Sequence, residues 1–188
     1  MKFTSKEIYT KSNALSFIRF LLVIPFWILL DNYDSQSVKY ILFALCLFAA
    51  LTDFLDGYLA RKFNEVTELG KIIDPLADKA AMAVIVLKLF LIGEISASYF
   101  FTIIIRDLLI FTGGIYVTKK IDKVLPSNKL GKITVLNIGI VILLILLGLS
   151  KENLVYQIFY YSSILLIFAS FSAYLIRAKE FISWNNKT

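Results

Sequence analysis

The chain of 188 residues contains no histidine and one cysteine, Cys46. Metal sites built from imidazole or from several thiolates are therefore excluded, and no disulfide can form within the chain. Cys46 lies in an apolar run, and we interpret it as a packing residue. Charged residues are also scarce, at 18%, whereas hydrophobic residues make up 59%. This composition is typical of an integral membrane protein rather than a soluble domain.

The basic residues exceed the acidic ones, which gives a formal net charge of +6. No basic patch alternates with aromatic residues, so we expect no nucleic-acid partner. The first apolar run is long, and no small-residue cleavage site clearly follows it, so we expect no cleavable signal peptide. The excess positive charge is better explained by orientation in a membrane.

The hydrophobic pattern predicts an all-α, polytopic membrane protein with six transmembrane helices in a single domain, residues 1–188. The predicted spans cover about residues 13–30, 38–61, 70–92, 96–117, 132–149 and 153–176, in a six-helix bundle from 13 to 178. A juxtamembrane segment, 1–12, precedes the bundle, and a polar tail, 179–188, follows it. Thr4 and Glu7 have capping-box spacing, which is compatible with a short amphipathic helix on the membrane surface.

Lysine and arginine are distributed unequally between alternate loops. One set of segments holds Lys2, Lys6, Lys11, Arg61, Lys62, Lys71, Lys119, Lys120, Lys123, Lys129, Arg177, Lys179 and Lys187. The opposite loops hold Lys39 and Lys151, together with Asp31, Asp34, Glu94 and Glu152. The positive-inside rule therefore predicts that both termini are cytoplasmic.

The most informative stretch of the chain contains four aspartates. Asp53 and Asp56 are three residues apart, and Asp74 and Asp78 are four apart. On helices, each spacing places the two residues on one face. The apolar run from Ala80 onwards is too short to cross a bilayer of about 30 Å. The third span is therefore long enough only if Asp74 and Asp78 belong to its helix, on the cytoplasmic side.

Four neighbouring carboxylates repel one another unless cations lie between them. Hard divalent ions prefer oxygen ligands, and Mg²⁺ usually keeps water and substrate phosphates in its coordination shell. The cluster therefore predicts Mg²⁺ or Mn²⁺, and we expect two ions with a phosphate-bearing substrate. Two alternatives are a solvated acidic loop and the pore of a divalent-cation transporter. Ionisable residues within membrane spans carry a high free-energy cost, which argues against a mere solvated acidic loop. All four aspartates lie on one side of the membrane, which argues against a transporter pore.

This stretch resembles the signature of the CDP-alcohol phosphotransferase family. The residues read Asp53-x2-Asp56-Gly57-x2-Ala60-Arg61-x8-Gly70-x3-Asp74-x3-Asp78 and match that signature at every fixed position. The family transfers a phospho-alcohol group from a CDP-linked donor and releases CMP. Near the N-terminus, Asn13-Ala-Leu15-Ser16-Phe-Ile-Arg19 is similar to a second, weaker pattern of the family.

The resemblance implies a role for each matching residue. Asp53, Asp56, Asp74 and Asp78 would be metal ligands, and Asp78 would also be the general base. The nucleotide and CDP-lipid site would include Asn13, Gly57, Ala60, Arg61, Thr67 and Gly70. A helix cap is an equally good interpretation of Asn13.

The identity of the acceptor depends on three basic residues outside the signature. The segment around Arg106-Asp107 and the segment Leu130-Gly131-Lys132-Ile-Thr134 resemble the branch that makes phosphatidylglycerophosphate and cardiolipin. Arg106, Lys129 and Lys132 would bind the phosphate of the acceptor. A structural Arg106–Asp107 pair, and the positive-inside bias for the two lysines, are alternatives.

The predicted function is transfer of a phosphatidyl group from CDP-diacylglycerol to glycerol 3-phosphate, which makes the chain a phosphatidylglycerophosphate synthase in phospholipid biosynthesis. Cardiolipin, phosphatidylserine and other phospholipid synthases of the family are the alternatives. The resemblance also implies a homodimer. The positive-inside rule predicts that the active site faces the cytoplasm, in the cell (inner) membrane.

Overall fold

The computed structural model describes the backbone of residues 21–63, 70–121 and 128–185, and the side chains of residues 21–52, 79–118 and 128–183. Within these ranges all of the regular secondary structure is helical. Helix α1, Val23–Leu29, continues into a 3-10 turn at Leu30–Asn32. The longer helices are α2, Gln36–Phe63; α3, Gly70–Leu91; α4, Ala97–Ile121; α5, Lys129–Leu146; and α6, Leu154–Asn185. The all-α prediction is therefore confirmed for the described residues.

Three helices are long and apolar enough to cross a membrane. In the described ranges these stretches are Ala97–Thr118, Lys129–Leu146 and Leu154–Ser183, and shorter apolar helices cover Val23–Asn32 and Gln36–Thr52. Their outer faces carry large apolar side chains, such as Leu136 (67% exposed) and Leu165 (72% exposed). Exposure of so much apolar surface to water would be unfavourable, whereas lipid chains accommodate it. The chain is therefore an integral membrane protein.

Helices α3 and α5 end on the same backbone motif. Gly93 and Gly148 have φ angles of 80° and 74°, in the left-handed region that side chains other than glycine disfavour. The residue after each glycine donates its N–H to a carbonyl five residues back, Glu94 to Leu89 at 2.9 Å and Leu149 to Leu144 at 3.1 Å. This is the Schellman arrangement, which satisfies carbonyls that the helix leaves free.

Helices α5 and α6 begin on asparagine caps. Asn128 Oδ1 accepts the N–H of Leu130 at 3.1 Å, and Asn153 Oδ1 accepts the N–H of Val155 at 2.9 Å. Because Asn128 caps α5, that helix begins at Lys129 rather than at Lys132, where the predicted span starts. Helix α6 begins where predicted, but it continues to Asn185, beyond the predicted span. Polar residues after Arg177 do not end it, because no glycine or proline follows.

The described chain groups into two compact units. Unit 1 comprises Met1–Glu94 and Leu146–Gly148, and unit 2 comprises Ile95–Ile145 and Leu149–Thr188. In unit 1, α1 packs against α2 and α3. Its core contains the buried side chains of Phe26, Leu30, Leu42, Val86 and Leu89.

Unit 2 is organised by the pairing of α4 with α6. Tyr99 bonds to Ser163, and Arg106 bonds to Ser170; both pairs are separated by 64 residues. The constant separation means that the two helices run in the same direction. Contacts recur every seven residues along α4, as in helices that pack at a small crossing angle. The next position, Gly113, lies against the ring of Tyr174, as expected where a glycine allows close approach.

Helix α5 lies alongside α6 in the opposite direction. Thr134 Oγ1 donates to the carbonyls of Leu130, at 2.7 Å, and Leu166, at 3.2 Å. One turn later, Asn137 Nδ2 donates to Ser162 Oγ at 3.1 Å. As residue numbers rise along α5 they fall along α6, which defines the antiparallel arrangement.

Candidate functional site

The backbone places the four aspartates on two helices. Helix α2 is continuous through Asp53 and Asp56, and α3 is continuous through Asp74 and Asp78. The condition for the third span, that Asp74 and Asp78 are part of its helix, is therefore met. Each pair is one turn apart on its helix, so its members share a face.

Several predicted site residues lie partly or wholly outside the described ranges. Asn13 and Thr67 lie outside them altogether. The side chains of Gly57, Ala60, Arg61 and the four aspartates also lie outside, although their backbone is helical, and Gly70 is the first residue of α3. Among the side chains that are described, no group of three metal-binding residues occurs. The predicted metal and nucleotide sites therefore stay predictions.

The chemistry of the aspartate set fits a hard divalent cation. Two carboxylates one helical turn apart, on each of two helices, supply an all-oxygen donor set. Mg²⁺ and Mn²⁺ prefer such oxygen ligands to nitrogen or sulfur.

Among the described residues of unit 2, Arg106 is the most buried charged residue, at 7% exposure. Its Nη1 donates to Asp107 Oδ1 at 2.6 Å, and its Nη2 donates to Ser170 Oγ at 3.2 Å. Its Nε is buried and has no hydrogen-bond partner among the described residues. The structural pair of Arg106 with Asp107 is therefore present, and the guanidinium is also buried; its binding of the acceptor phosphate stays a prediction. A guanidinium with one free donor can still bind an anion.

The guanidinium of Arg106 reaches the first turn of α5. A Cβ atom at Gly131 would lie 3.4 Å from Arg106 Nη2, so a larger side chain there would compete with the guanidinium for space. Lys129 and Lys132, on the same turn, are exposed. The guanidinium of Arg106 therefore lies beside the turn of α5 that carries Lys129 and Lys132.

Sequence reasoning missed Ser170, which holds Arg106 from α6. A serine in an apolar helix gives little signal by itself, since its partner is known only when the register of α4 and α6 is known. Thr134 was noted as part of a motif, but its buried bond to the carbonyl of Leu166 was not foreseen. Both residues fix the helices that carry the basic side chains.

Unit 1 contains a buried cation that no motif indicated. Lys88, 7% exposed, forms an ion pair with Asp31, and its Nζ lies 4.5 Å from the centre of the Trp27 ring. It lies in the last turn of α3, where the helix dipole favours a positive charge. This arrangement accounts for Lys88 as a structural residue.

Comparisons with known proteins agree with the signature. The family model described as CDP-alcohol phosphatidyltransferase matches residues 9–174. A CDP-diacylglycerol–glycerol-3-phosphate 3-phosphatidyltransferase of Aquifex aeolicus is 38% identical over 136 residues, covering 70% of this chain and 72% of that protein. A protein of the same name from Rickettsia typhi is 30% identical over 145 residues, covering 77% of this chain and 80% of its own length.

Proposed function

We propose a function for this chain on the premise of its family: the chain belongs to the CDP-alcohol phosphatidyltransferase family. It is a phosphatidyltransferase that acts in phospholipid biosynthesis, with CDP-diacylglycerol as the donor and glycerol 3-phosphate as the acceptor. The products are phosphatidylglycerophosphate and CMP. The complete aspartate pattern on two continuous helices carries this proposal. The names of the similar proteins support the choice of donor and acceptor.

Enzymes of this family generally depend on a divalent metal. We assign Asp53, Asp56, Asp74 and Asp78 as the ligands of Mg²⁺ or Mn²⁺, with two ions in the site. When bound, the ions would neutralise the negative charge of the donor pyrophosphate. Chelation with EDTA should abolish turnover, and added Mg²⁺ or Mn²⁺ should restore it. Full activity in excess chelator would contradict the assignment.

The residues around the aspartates would hold the donor. Gly57 and Ala60 have small side chains and leave room for cytidine beside α2. Arg61 can bind phosphate oxygens through two parallel N–H donors. The proposed nucleotide site is completed by three further residues that the family pattern indicates: Asn13, Thr67 and Gly70.

The reaction exchanges one phosphorus–oxygen bond for another. Asp78 takes the proton of the attacking hydroxyl of glycerol 3-phosphate. The oxygen of that hydroxyl bonds to the phosphorus that carries diacylglycerol, and the bond from this phosphorus to the oxygen of CMP breaks. CMP leaves with the electron pair of that bond, so atoms and charge balance.

The acceptor phosphate would bind to Arg106, Lys129 and Lys132. The supporting observation is the buried guanidinium of Arg106, which lies beside the first turn of α5. Cations in these positions are consistent with an acceptor that carries its own negative charge. An unphosphorylated alcohol would have no use for them.

The proposed arrangement in the membrane has six spans, both termini in the cytoplasm and the active site on the cytoplasmic side of the inner membrane. The distribution of lysine and arginine supports this orientation. CDP-linked lipids are made from CTP, which also favours a cytoplasmic site. We further propose a homodimer, by resemblance to the family.

The deciding experiment is to purify the protein in detergent and measure CMP release from CDP-diacylglycerol with a panel of alcohols. Glycerol 3-phosphate should drive release, whereas serine, inositol and phosphatidylglycerol should not. Release driven only by serine or by phosphatidylglycerol would assign the chain to the phosphatidylserine or cardiolipin reaction instead. No release with any alcohol would contradict the proposed activity.

A further inference from the structure

Three buried polar atoms of unit 2 have no hydrogen-bond partner among the described residues: Arg106 Nε, Asn128 Nδ2 and Tyr174 Oη. Buried polar groups are nearly always hydrogen-bonded, because an unpaired one loses its bonds to water without replacement. Three such atoms in one unit therefore require an explanation. A bound ligand would supply the missing partners.

The three residues that carry these atoms follow one another along one end of unit 2. Arg106 Nη2 contacts both Ser170 on α6 and the position of Gly131 on α5. Tyr174 is one turn beyond Ser170, and Asn128 is one turn before Gly131. Because α5 runs opposite to α6, the step from Ser170 forward to Tyr174 and the step from Gly131 back to Asn128 go in the same direction along the helix axes. Asn128 therefore lies about one turn from the Arg106 guanidinium, and the hydroxyl of Tyr174 lies farther in the same direction, beside Gly113 and Gly114 of α4.

The orientation of the Asn128 amide is fixed by its role as a cap. Its Oδ1 accepts the N–H of Leu130 at 3.1 Å, so Nδ2 is the atom directed elsewhere. As an amide nitrogen it can only donate. Arg106 Nε is also only a donor, and the hydroxyl of Tyr174 can donate as well. The ligand must therefore offer several acceptor atoms.

The charges at this end of unit 2 favour an anion. The first turn of α5 presents the positive end of a helix dipole, and the guanidinium of Arg106 is held against it. Lys129 and Lys132 add two further positive charges to that turn. Asp107 is the carboxylate that faces Arg106, and it balances one of these charges. Like charges placed together in this way are stabilised when an anion binds between them.

We propose that Asn128 and Tyr174 bind the phosphorylated acceptor together with Arg106. This inference rests on the proposed function, and it adds two residues that belong to no sequence pattern considered above. A phosphate group offers acceptor oxygens to Arg106 and Asn128, and a phosphorylated polyol also offers hydroxyls within reach of Tyr174. The acceptor thus satisfies all three unpaired atoms.

The Asn128→Asp variant tests the amide. Aspartate caps a helix as well as asparagine does, so α5 should start normally, but the donating nitrogen becomes a negatively charged oxygen. The apparent KM for glycerol 3-phosphate should rise at least about tenfold, which is the lower end for the loss of one bond to a charged group. The KM for CDP-diacylglycerol should stay within about twofold, as expected for a residue that does not touch the donor. The matched control is Asn153→Asp, because Asn153 is an exposed cap of the same kind on α6.

The Tyr174→Phe variant tests the hydroxyl. It keeps the ring that packs against Gly113 and removes only an unpaired oxygen. The melting temperature should therefore not fall, because no bond within the protein is lost, whereas the KM for glycerol 3-phosphate should rise by a few-fold to about tenfold. If the Tyr174 hydroxyl had a structural role instead, its removal would lower the melting temperature and leave the KM for glycerol 3-phosphate unchanged. Tyr161→Phe, at a position 61% exposed on the same helix, is the control.

The outcomes separate this inference from the proposed function. If the parent protein makes phosphatidylglycerophosphate and both variants keep its KM for glycerol 3-phosphate, the inference is wrong and the function stands. A rise confined to the KM for CDP-diacylglycerol would also overturn it, because the phosphate bound here would then belong to the donor.

If the parent does not use glycerol 3-phosphate, the proposed function fails, and inorganic phosphate serves as the probe. An increase in melting temperature with phosphate, present in the parent and absent in Asn128→Asp, would support an anion site. The absence of that increase in the parent would overturn it.

Discussion

At the scale of single residues, the two partners of the hydrogen bond between Tyr99 and Ser163 depend on it to different degrees. The two oxygens are 2.7 Å apart, and both side chains are almost fully buried. Ser163 Oγ also donates to the carbonyl of Tyr160 at 2.6 Å, so Tyr99 must donate to Ser163. Loss of the serine strands a buried hydroxyl, whereas loss of the tyrosine hydroxyl leaves the serine bonded.

We therefore expect Ser163→Ala to destabilise the protein more than Tyr99→Phe does. The serine variant should lose about 1–3 kcal/mol and the tyrosine variant about 1 kcal/mol or less. Melting curves of the two variants and the parent in the same detergent would measure the difference. Equal losses, or a larger loss for Tyr99→Phe, would contradict the direction assigned to this bond.

The proposed base, Asp78, allows a prediction on turnover. Asp78→Asn removes the proton acceptor but keeps an oxygen and a similar volume. Turnover should fall by at least about a hundredfold, the range expected for a general base. Asp34→Asn, an exposed change in the turn before α2, should leave turnover unchanged. Turnover of Asp78→Asn close to that of the parent, with metal bound in both, would show that another group takes the proton.

At the scale of helices, the two glycine turns that end α3 and α5 differ in their surroundings. A Cβ at Gly93 would meet no atom within 4 Å, whereas one at Gly148 would lie 3.0 Å from Cδ of Lys39. Both positions have the left-handed backbone that costs alanine about 1–2 kcal/mol. Gly148→Ala carries an additional cost, because Lys39 lies over the Tyr33 ring and must move.

The expected order of melting temperatures is therefore parent, then Gly93→Ala, then Gly148→Ala. Gly139→Ala serves as the control, since Gly139 has open space around its Cα and lies within a helix. Alanine is the better helix former, so this control should be neutral or slightly stabilising. A Gly93→Ala variant as stable as the control would mean that the turn is not left-handed.

The sequence predicted the helices better than the contacts between them. Long apolar runs, broken at Gly93 and by polar loops, were enough to predict α2, α3, α4 and α6 to within a few residues, apart from the extension of α6. The predicted start of α5, at Lys132, differs from the observed start at Lys129, because the sequence alone does not reveal the capping role of Asn128. The pairing of Arg106 with Ser170 could not be predicted, since it depends on the register of two helices far apart in sequence. The aspartate signature, by contrast, is local and could be identified directly.

At the scale of the whole molecule, the scarcity of cysteine makes the proposed topology testable. Cys46→Ala would give a chain without thiols, into which single cysteines can be introduced. Cysteines at Asp34 and Lys151 should react with a membrane-impermeant maleimide added outside intact cells, and cysteines at Lys123 and Lys187 should react only after lysis. Reaction of Lys123→Cys from outside would exclude the six-span arrangement with cytoplasmic termini.

In the proposed six-span arrangement, the ion pair of Lys88 with Asp31, beneath the ring of Trp27, limits how α3 can respond to the bilayer. A single apolar helix can shift along the membrane normal at little cost, since one leucine replaces another at each depth. Here such a piston displacement would separate an ammonium from its carboxylate and expose it to lipid, which is expensive. When the surrounding lipid becomes thicker or thinner, α1 and α3 must therefore tilt together, or the lipid must deform around them, and the vertical alignment of the two helices stays fixed.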